Sequence, residues 1–315
     1  MKPVFKSLLA ATALAATALA ASLFAANAQD TSIIVVSHGQ ASDPFWSVVK
    51  NGVAQAATDM GVNVDYRAPE TFDMVAMAQL IDAAVNQNPA GLIVSIPDAD
   101  ALGPSIKKAV AAGIPVISMN SGSDVSKELG ALLHVGQDEF DAGKAAGAKL
   151  KELGGKKAIC INQEVGNVAL DLRCKGFAEG FGDSTVVPAS MDPAEVTAKV
   201  KAALSSDAAI DTIMSLGAST AGEPALVAIA ESGKEGKVQI GTFDMSAGFL
   251  QAIVDGRATF AIDQQQYLQG YLPVTFLALN AKYGLMPGGN VPSGPNLITK
   301  EKAAQVIDLS TKGIR

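Results

Sequence analysis

The side chains best suited to ligand chemistry in this sequence follow short runs of β-branched residues. Asp43-Pro44 is a helix-start signal, with the aspartate as N-cap and the proline in the first turn. Phe45 and Trp46, the only tryptophan, come directly after it. Two neighbouring rings at the rim of a sheet could form a wall against the CH faces of a ligand, with ordinary core packing as the alternative for either ring.

Hydrogen-bonding side chains follow most of the other predicted strands. Ligands of open parallel sheets bind at the carboxyl ends of the strands, so we interpret these residues as candidate ligand-binding groups. With the cap, the two rings and Arg173, whose place in the set comes from the family resemblance described below, the full candidate set is His38, Asp43, Phe45, Trp46, Ser95, Asn120, Glu164, Arg173, Asp244 and Gln264. Many donors and acceptors with few cations suit a neutral, hydroxyl-rich ligand.

Several of these residues also have a purely structural explanation. Asp43 and Asp244 could cap the helices that follow them, and for Asp43 capping is the favoured sole role. His38 could be a loop histidine with satisfied hydrogen bonds, and His134 is interpreted as structural.

Motifs for catalysis and cofactor binding are missing from the sequence. No GxGxxG follows the first strand, and there is no GxxxxGK[ST], GxSxG or HExxH motif. Two cysteines and two histidines supply no ligand set for a structural zinc site. We therefore predict a protein that is not an enzyme and has no metal or cofactor. Cys160 and Cys174 could form a disulfide or remain buried thiols, and the sequence leaves both possibilities open.

Composition and charge exclude two further classes. With 49% hydrophobic residues in 315, the chain has ample material for packed cores, which excludes disorder as its main description. The 24 Lys+Arg against 31 Asp+Glu give a net charge of −7, the wrong sign for a general phosphate-binding surface. Nucleic acid is therefore not predicted as a partner.

The first 28 residues have the three parts of a secretory signal peptide. Lys2 and Lys6 precede an Ala/Leu run at 8–24, and an Ala-Asn-Ala sequence at 26–28 supplies the small residues of a cleavage site. A membrane anchor is the alternative, but the run is short and consists mostly of alanine. We predict Sec-type export with cleavage and a location in the periplasm.

Beyond residue 31, β-branched runs alternate with longer segments of helical period, the pattern of a parallel sheet covered by helices. The predicted strands are 33–37, 62–66, 91–96, 115–119, 132–136, 158–161, 185–188, 212–216, 238–243 and 260–263. Near the C-terminus the pattern predicts a long helix at 266–283, a Pro/Gly connector at 291–296 and a final helix at 300–310. So many strands favour an α/β fold of two doubly wound parallel-sheet lobes over a single sheet.

Several short motifs also occur in a specific order along nearly the whole mature chain. They are Asp-Pro-Phe-Trp at 43–46, the strand-to-helix segment at 94–101, Gly-Ile-Pro-Val-Ile at 113–117, His-Val-Gly-Gln-Asp at 134–138, Arg-x-x-Gly-Phe at 173–177, Gly-Thr-Phe-Asp at 241–244 and Ala-Ile-Asp-Gln at 261–264. In this order and spacing the sequence resembles the type I periplasmic solute-binding proteins of ABC transporters, in particular the ribose- and galactose-binding group.

The resemblance implies a fold and a way of working. It implies two lobes joined by three hinge crossovers, with 29–137 and 265–292 in the N-terminal lobe and 138–264 and 293–315 in the C-terminal lobe. A monosaccharide or related polyol would bind between the lobes of a monomer by hinge closure. The rings at 45–46, the arginine at 173 and the glutamine at 264 would contact the sugar. The resemblance also places Arg173 at a helix start, where an arginine opposes the positive end of the helix dipole, so we interpret it as held there by a bidentate bond to ligand hydroxyls or a carboxylate. A surface salt bridge is the alternative. The closed form would be recognised by ABC permease subunits or by a chemoreceptor.

Three departures from the family pattern bear on the ligand. Asn120-Ser121 stands where a ribose binder has an aspartate-arginine pair, Gly217-Ala218 replaces an asparagine, and the second-lobe aromatic is absent. These changes argue against ribose itself but not against the class of ligand. A receptor for a furanosyl signal molecule is one alternative function, and an α/β enzyme acting on a sugar is a less favoured one.

Overall fold

Residues 31–39 and 43–315 are described by a computed structural model, in which they form two α/β lobes. Each lobe is built on one six-stranded sheet. The two-lobe fold that the alternating pattern predicts is therefore confirmed. The predicted signal peptide at 1–28 lies outside the described residues.

The sheet of the first lobe draws its strands from both ends of the chain. It contains β1 (Ser32–Val36), β2 (Asn63–Arg67), β3 (Gly91–Val94), β4 (Val116–Asn120), β5 (Leu133–Gly136) and β11 (Val291–Pro292). Their order is β2-β1-β3-β4-β5-β11, and all neighbours are parallel. The strand order reverses between β1 and β3, which is where ligands of such sheets bind.

The sheet of the second lobe repeats this arrangement. It contains β6 (Ala158–Asn162), β7 (Ser184–Pro188), β8 (Thr212–Ser215), β9 (Gln239–Phe243), β10 (Phe260–Asp263) and β12 (Asn296–Ile298). The order is β7-β6-β8-β9-β10-β12, so the reversal lies between β6 and β8. The last strand, β12, is antiparallel to β10.

All ten predicted strands are present, with ends that differ by at most two residues. The prediction of a plain connector at 291–296 was wrong, because this segment holds β11 and the first residue of β12. Both strands are very short and lie at sheet edges, where a proline such as Pro292 is tolerated. Two or three residues are too few to show a period of two in the sequence.

Ten α-helices connect the strands within the described residues. They are α1 (Pro44–Met60), α2 (Met74–Val85), α3 (Ala99–Ala111), α4 (Glu139–Glu152), α5 (Val168–Phe181), α6 (Pro193–Ser206), α7 (Glu223–Glu231), α8 (Ala247–Asp255), α9 (Gln266–Tyr283) and α10 (Lys300–Thr311). A π-helical turn at Ala218–Gly222 precedes α7. No helix in 31–39 or 43–315 is both long and apolar enough to cross a membrane.

The chain passes between the two sheets three times. It leaves the first sheet after β5, returns after β10 when α9 packs on α1, and leaves again between β11 and β12. These passages lie at 137–138, 264–265 and 293–295. They agree with the three crossovers implied by the family resemblance, while the boundaries of the lobes at single-residue level stay a prediction.

Each sheet has a hydrophobic core on both of its faces. In β1, Ile33 and Val35 point into one core, while Ile34 and Val36 point into the other. This alternation is the period of a strand that is buried on both sides. The strand ends, and not the strand faces, are therefore the part of each sheet available to a ligand.

Helices α4 and α5 of the second lobe pack with their backbones in direct contact. Gly143 and Gly147 of α4 face backbone atoms of α5, and Gly176 and Gly180 of α5 face backbone atoms of α4. A Cβ atom at any of these positions would overlap the neighbouring backbone. The glycines fix the distance between the helix that begins after the first crossing and the helix that carries the candidate Arg173.

The two cysteines, for which the sequence left two possibilities, form a disulfide between β6 and α5. Cys160 and Cys174 are both buried and are 14 residues apart in sequence. Closing a loop of this length contributes about 3 kcal/mol by restricting the unfolded chain.

We expect Cys160→Ala/Cys174→Ala to lower the free energy of unfolding by about 3 kcal/mol, measured by denaturant titration of oxidised protein. Reduction of the wild-type protein should lower its midpoint similarly and should leave the double variant unchanged. Equal midpoints for the oxidised wild type and the variant would show that the disulfide does not stabilise the fold.

Candidate functional site

The ten candidate residues lie where the two lobes face each other. In the first lobe, His38 follows β1. The start of α1 is formed by its cap Asp43 and by Phe45 and Trp46. Ser95 and Asn120 lie at the ends of β3 and β4. In the second lobe, Glu164, Asp244 and Gln264 follow β6, β9 and β10, and Arg173 lies in α5. The lobes are in contact here, since the Val168 amide donates to the Pro97 carbonyl at 3.0 Å.

His38 connects residues of both lobes. Its Nδ1 lies 2.8 Å from Ser95 Oγ, and its ring meets that of Trp46 edge-on with centroids 4.8 Å apart. On the other side, Nε2 lies 3.4 Å from Asn167 Nδ2 and 3.8 Å from Glu164 Oε2. Burial, and to a smaller extent the positive charge of Arg173, lowers the pKa of His38 to about 3. The ring is therefore neutral, and it accepts from Asn167 at Nε2 while Nδ1–H donates to Ser95.

The two aromatic rings form one side of the site. Trp46 and Phe45 are buried, with ring centroids 5.1 Å apart and planes inclined by 75°. Both belong to a core cluster of the first lobe, so core packing is part of their role. Gly39 lies against the indole, and a Cβ there would overlap the ring. The glycine is thus required for the position of Trp46.

Arg173 is not at a helix start, so the prediction based on the helix dipole was wrong. Helix α5 begins at Val168, after the cap Asn167, whose side chain accepts from the Ala169 amide. Arg173 follows a full turn later, where the dipole has little effect.

Arg173 instead forms a buried ion pair with Glu139, the first residue of α4. Nε donates to Oε2 at 2.6 Å and Nη2 donates to Oε1 at 3.1 Å. Both side chains are nearly inaccessible, so the salt bridge differs from the surface pair considered above. The guanidinium also lies 4.5 Å from the centroid of the Phe243 ring, and Nη1 donates to the Leu216 carbonyl at 3.4 Å.

Two carboxylates at the site have raised pKa values. Asp43 caps α1 through a bond of 3.0 Å from the Phe45 amide, as predicted. Burial raises its pKa to about 6, and the charge of Glu164 adds to the shift. Burial likewise raises the pKa of Asp244 to about 7, against the opposing effect of Arg173.

Asp244 does not cap the next helix, in contrast to the structural alternative considered for it. Ser246 is the N-cap of α8, and the Asp244 carboxylate accepts from Gln264 Nε2 at 2.5 Å. The backbone of Asp244 is left-handed, with φ at 65°, as is that of Asn120, with φ at 64°. Left-handed non-glycine residues cost energy and concentrate at binding and catalytic sites. Their position at strand ends in both lobes supports a site there.

The raised pKa of Asp244 predicts a dependence of stability on pH. Because the folded pKa of about 7 exceeds the unfolded value of 3.8, the stabilisation is complete below the unfolded value and is lost as the pH rises through the folded one. Between pH 6 and 8 the free energy of unfolding should fall by about 1 kcal/mol through this group. Both histidines, whose pKa values are lowered, are neutral in this range and do not contribute.

Asp244→Asn should flatten this decrease in denaturant titrations of ligand-free protein at pH 6 and 8. Asp255→Asn, at an exposed surface ion pair, is the control and should retain the wild-type slope. A variant at 244 with an undiminished slope would assign the pH dependence to other groups.

An amide network joins the site to the chain crossings. Asn120 Nδ2 donates to Gln269 Oε1 at 3.2 Å and lies 3.4 Å from Gln264 Oε1. Gln269 Nε2 donates to Ser293 Oγ at 3.1 Å in the third crossing. The strand ends are therefore in direct contact with segments that must move if the lobes rotate.

Four residues that shape the site are missing from the candidate set, namely Gly39, Glu139, Asn167 and Gln269. Asn167 could have been found, since an asparagine before an apolar helical stripe is a typical N-cap. Glu139 looks like an ordinary acidic residue in a first helical turn, and nothing local shows that its partner is an arginine 34 positions away. Gly39 and Gln269 acquire their roles only through tertiary contacts.

The comparison with known families fits this geometry. A model described as a periplasmic binding protein domain matches residues 33–284. The chain belongs to the periplasmic binding protein family. Members of this family act outside the cytoplasm, and the family predicted from the motif order is confirmed.

Individual relatives of this periplasmic binding protein have names that refer to sugars. The crystal structure of a carbohydrate transporter from Acidothermus cellulolyticus, in complex with myo-inositol, has 37% sequence identity and a TM-score of 0.86, with 90% of this chain and 99% of that chain covered. The xylose/arabinose-binding protein XylF of Sulfolobus acidocaldarius is 25% identical over 263 residues, 78% of this chain and 65% of that protein. The ribose import binding protein RbsB of Escherichia coli is 28% identical over 156 residues, 50% of each chain. The matched region thus spans about two thirds of the length of XylF and half of the length of RbsB.

Proposed function

We propose that this protein is the sugar- or polyol-binding component of an ABC importer and binds its ligand between the two lobes. The observation that carries the proposal is the convergence of both lobes on His38, with aromatic rings on one side and Arg173, Glu164 and Asp244 on the other. Flat rings suit the CH faces of a sugar ring, and charged hydrogen-bonding groups suit its hydroxyls.

All ten candidate residues are part of this proposal. Their place after the strands of both sheets and in the helices that follow supports it, with His38, Ser95 and Glu164 beside the strand-order reversals, as does the match to a myo-inositol-bound relative. A polyhydroxylated six-membered ring, such as a cyclitol or a pyranose, is therefore the favoured ligand. Capture would proceed by hinge closure, with the ligand shifting the population toward the closed form that permease subunits recognise.

The proposal extends to the location and the state of the protein. A cleaved signal peptide at 1–28 would deliver the mature chain to the periplasm. The protein would act as a monomer without turnover of its ligand, since relatives are described as binding proteins. A chemoreceptor could recognise the same closed form as the permease.

A ligand panel tests this function directly. Purified protein is screened by differential scanning fluorimetry and calorimetry with myo-inositol, pentoses, hexoses and acyclic polyols. At a hundredfold excess over Kd, a ligand stabilises the folded state by about 2.7 kcal/mol, so we expect at least one compound to raise the Tm by about 5 °C or more. No response to any polyhydroxylated compound would contradict the proposal.

Two alternative functions are outcomes of the same panel. Stabilisation by a furanosyl signal molecule, without a response to sugars or cyclitols, would favour a signal receptor. Mass spectrometry of each bound compound after prolonged incubation tests for turnover. A new product that is lost in Asp244→Asn would show an enzyme.

A further inference from the structure

Glu139 sets the charge of the candidate site, although it was not among the residues that the sequence suggested. Arg173 is the one permanent cation among the ten candidate residues. Glu139 binds it through two hydrogen bonds in a pair that is almost fully buried. Buried charges of this kind interact strongly because little water screens them. The positive charge of Arg173 is therefore already compensated before any ligand arrives.

Apart from the neutral His38, the other ionisable groups at the site are carboxyl groups. Asp43 of the first lobe interacts electrostatically with Glu164 and Asp244 of the second lobe. Glu164 and Asp244 also interact with Arg173 within their own lobe. A neutral polyol needs only hydrogen bonds from these groups, and carboxylates accept hydroxyl donors well. An anionic sugar would instead bring a further carboxylate to a site whose arginine is already paired.

The guanidinium still has donors to offer a neutral ligand. Of its five N–H groups, three are used by the contacts to Glu139 and to the Leu216 carbonyl within the described part of the chain. Glu139 itself is held in place, because its Oε2 also accepts from Gln137 Nε2 at 2.9 Å in the first chain crossing. The ion pair thus fixes the orientation of Arg173 as well as its charge.

We propose that Glu139 is a positioning residue that determines the charge specificity of the site. By pairing with Arg173 it makes the site accept neutral polyols and reject sugar acids of the same shape. This inference rests on the proposed function, because it describes which polyhydroxy compounds that same site takes.

The test is the affinity of Glu139→Gln for matched neutral and anionic sugars. Glutamine has the size of glutamate and can accept a hydrogen bond from Arg173, but it carries no charge. Calorimetry with D-glucose and D-glucuronate, and with D-galactose and D-galacturonate, gives a neutral-to-acid affinity ratio for each protein. Loss of a charged hydrogen-bond partner changes affinity by about tenfold to a hundredfold. We expect the neutral-to-acid affinity ratio of Glu139→Gln to be lower than that of the wild type by at least about tenfold. Binding of the acids by the variant should weaken as salt is added.

Glu179→Gln is the matched control, because it removes the same charge from α5 at an exposed ion pair with Lys144. Its ratio should equal that of the wild type. Glu139→Gln/Arg173→Gln should lose any gained affinity for the acids, since the freed guanidinium is then gone. Should Glu139→Gln fail to fold, as judged by circular dichroism, Glu139→Asp keeps the charge and should retain rejection of the acids. Acid binding by a folded Glu139→Asp variant would overturn the proposal.

The inference and the proposed function fail in different ways. A wild-type protein that binds none of the neutral compounds in the full ligand panel, myo-inositol and pentoses included, contradicts the proposed function. A wild-type protein that binds a neutral sugar, with an unchanged ratio in folded Glu139→Gln, overturns the role of Glu139 alone.

Discussion

Arg173→Ala should raise the Kd for the bound polyol by more than about a hundredfold, which is the largest effect expected of any single substitution at the site. The variant removes the donors that face the ligand and leaves Glu139 buried without its cationic partner. Removal of one member of a buried ion pair also costs about 3–5 kcal/mol of stability. Calorimetry measures the first effect and denaturant titration the second.

Arg257→Ala is the control for this prediction. Arg257 forms an exposed pair with Asp255, so its removal should change neither affinity nor stability by much. Wild-type affinity in a folded Arg173→Ala variant would show that the guanidinium does not contact the ligand, and the site would have to lie elsewhere.

Trp46→Ala should weaken polyol binding by about thirtyfold or more, because the indole supplies the larger part of the aromatic wall. The ring is also a core residue beside Phe45 and His38, so the free energy of unfolding should fall by about 3–5 kcal/mol. Trp46→Phe keeps a flat ring and should recover most of the affinity. Tyr283→Ala, at an exposed aromatic residue, should leave both quantities unchanged.

Equal affinities for Trp46→Ala and the wild type would assign the ring to core packing alone. Loss of affinity that Trp46→Phe does not restore would instead indicate a specific contact of the indole, such as its N–H group. Because Trp46→Ala is expected to be less stable, its affinity must be measured at a temperature well below its Tm, where the variant is folded.

The fold could be predicted largely from local pattern, because its strands are buried on both faces and alternate with amphipathic helices. Runs such as 91–96 and 212–216 are mostly apolar and are bounded by turn-forming residues such as Pro97 and Gly217, so their strands were found to within two residues. β11 and β12 were missed because strands of two and three residues are defined by their hydrogen-bonded neighbours and not by their own composition.

The candidate site could be predicted in outline, because residues after parallel strands must gather at one edge of each sheet. His38 and Ser95 were placed in this way and are hydrogen bonded to each other. The partners of individual side chains could not be predicted. Glu139 pairs with Arg173 because α4 and α5 pack closely, and Ser246 replaces Asp244 as a cap because the chain turns two residues later than the aspartate suggests.

The central claim is that a polyhydroxy ligand is enclosed between the lobes by rotation about the crossings. Val75, at the start of α2, and Val165, in the loop before α5, are 69% and 63% exposed on the two lobes. Their neighbours Phe72 and Gly166 approach each other, since a Cβ at Gly166 would lie 3.8 Å from Phe72 Cε1. Spin labels at Val75→Cys and Val165→Cys would therefore report changes in the distance between the two lobes at this edge. The native cysteines form a disulfide and do not react with the label.

Double electron–electron resonance on this doubly labelled protein is the most direct measurement. The account predicts a broad or longer distance distribution without ligand and a single short distance at saturating concentration of the polyol that gives the largest Tm shift. The same distribution with and without a bound polyol would contradict capture by closure between the lobes.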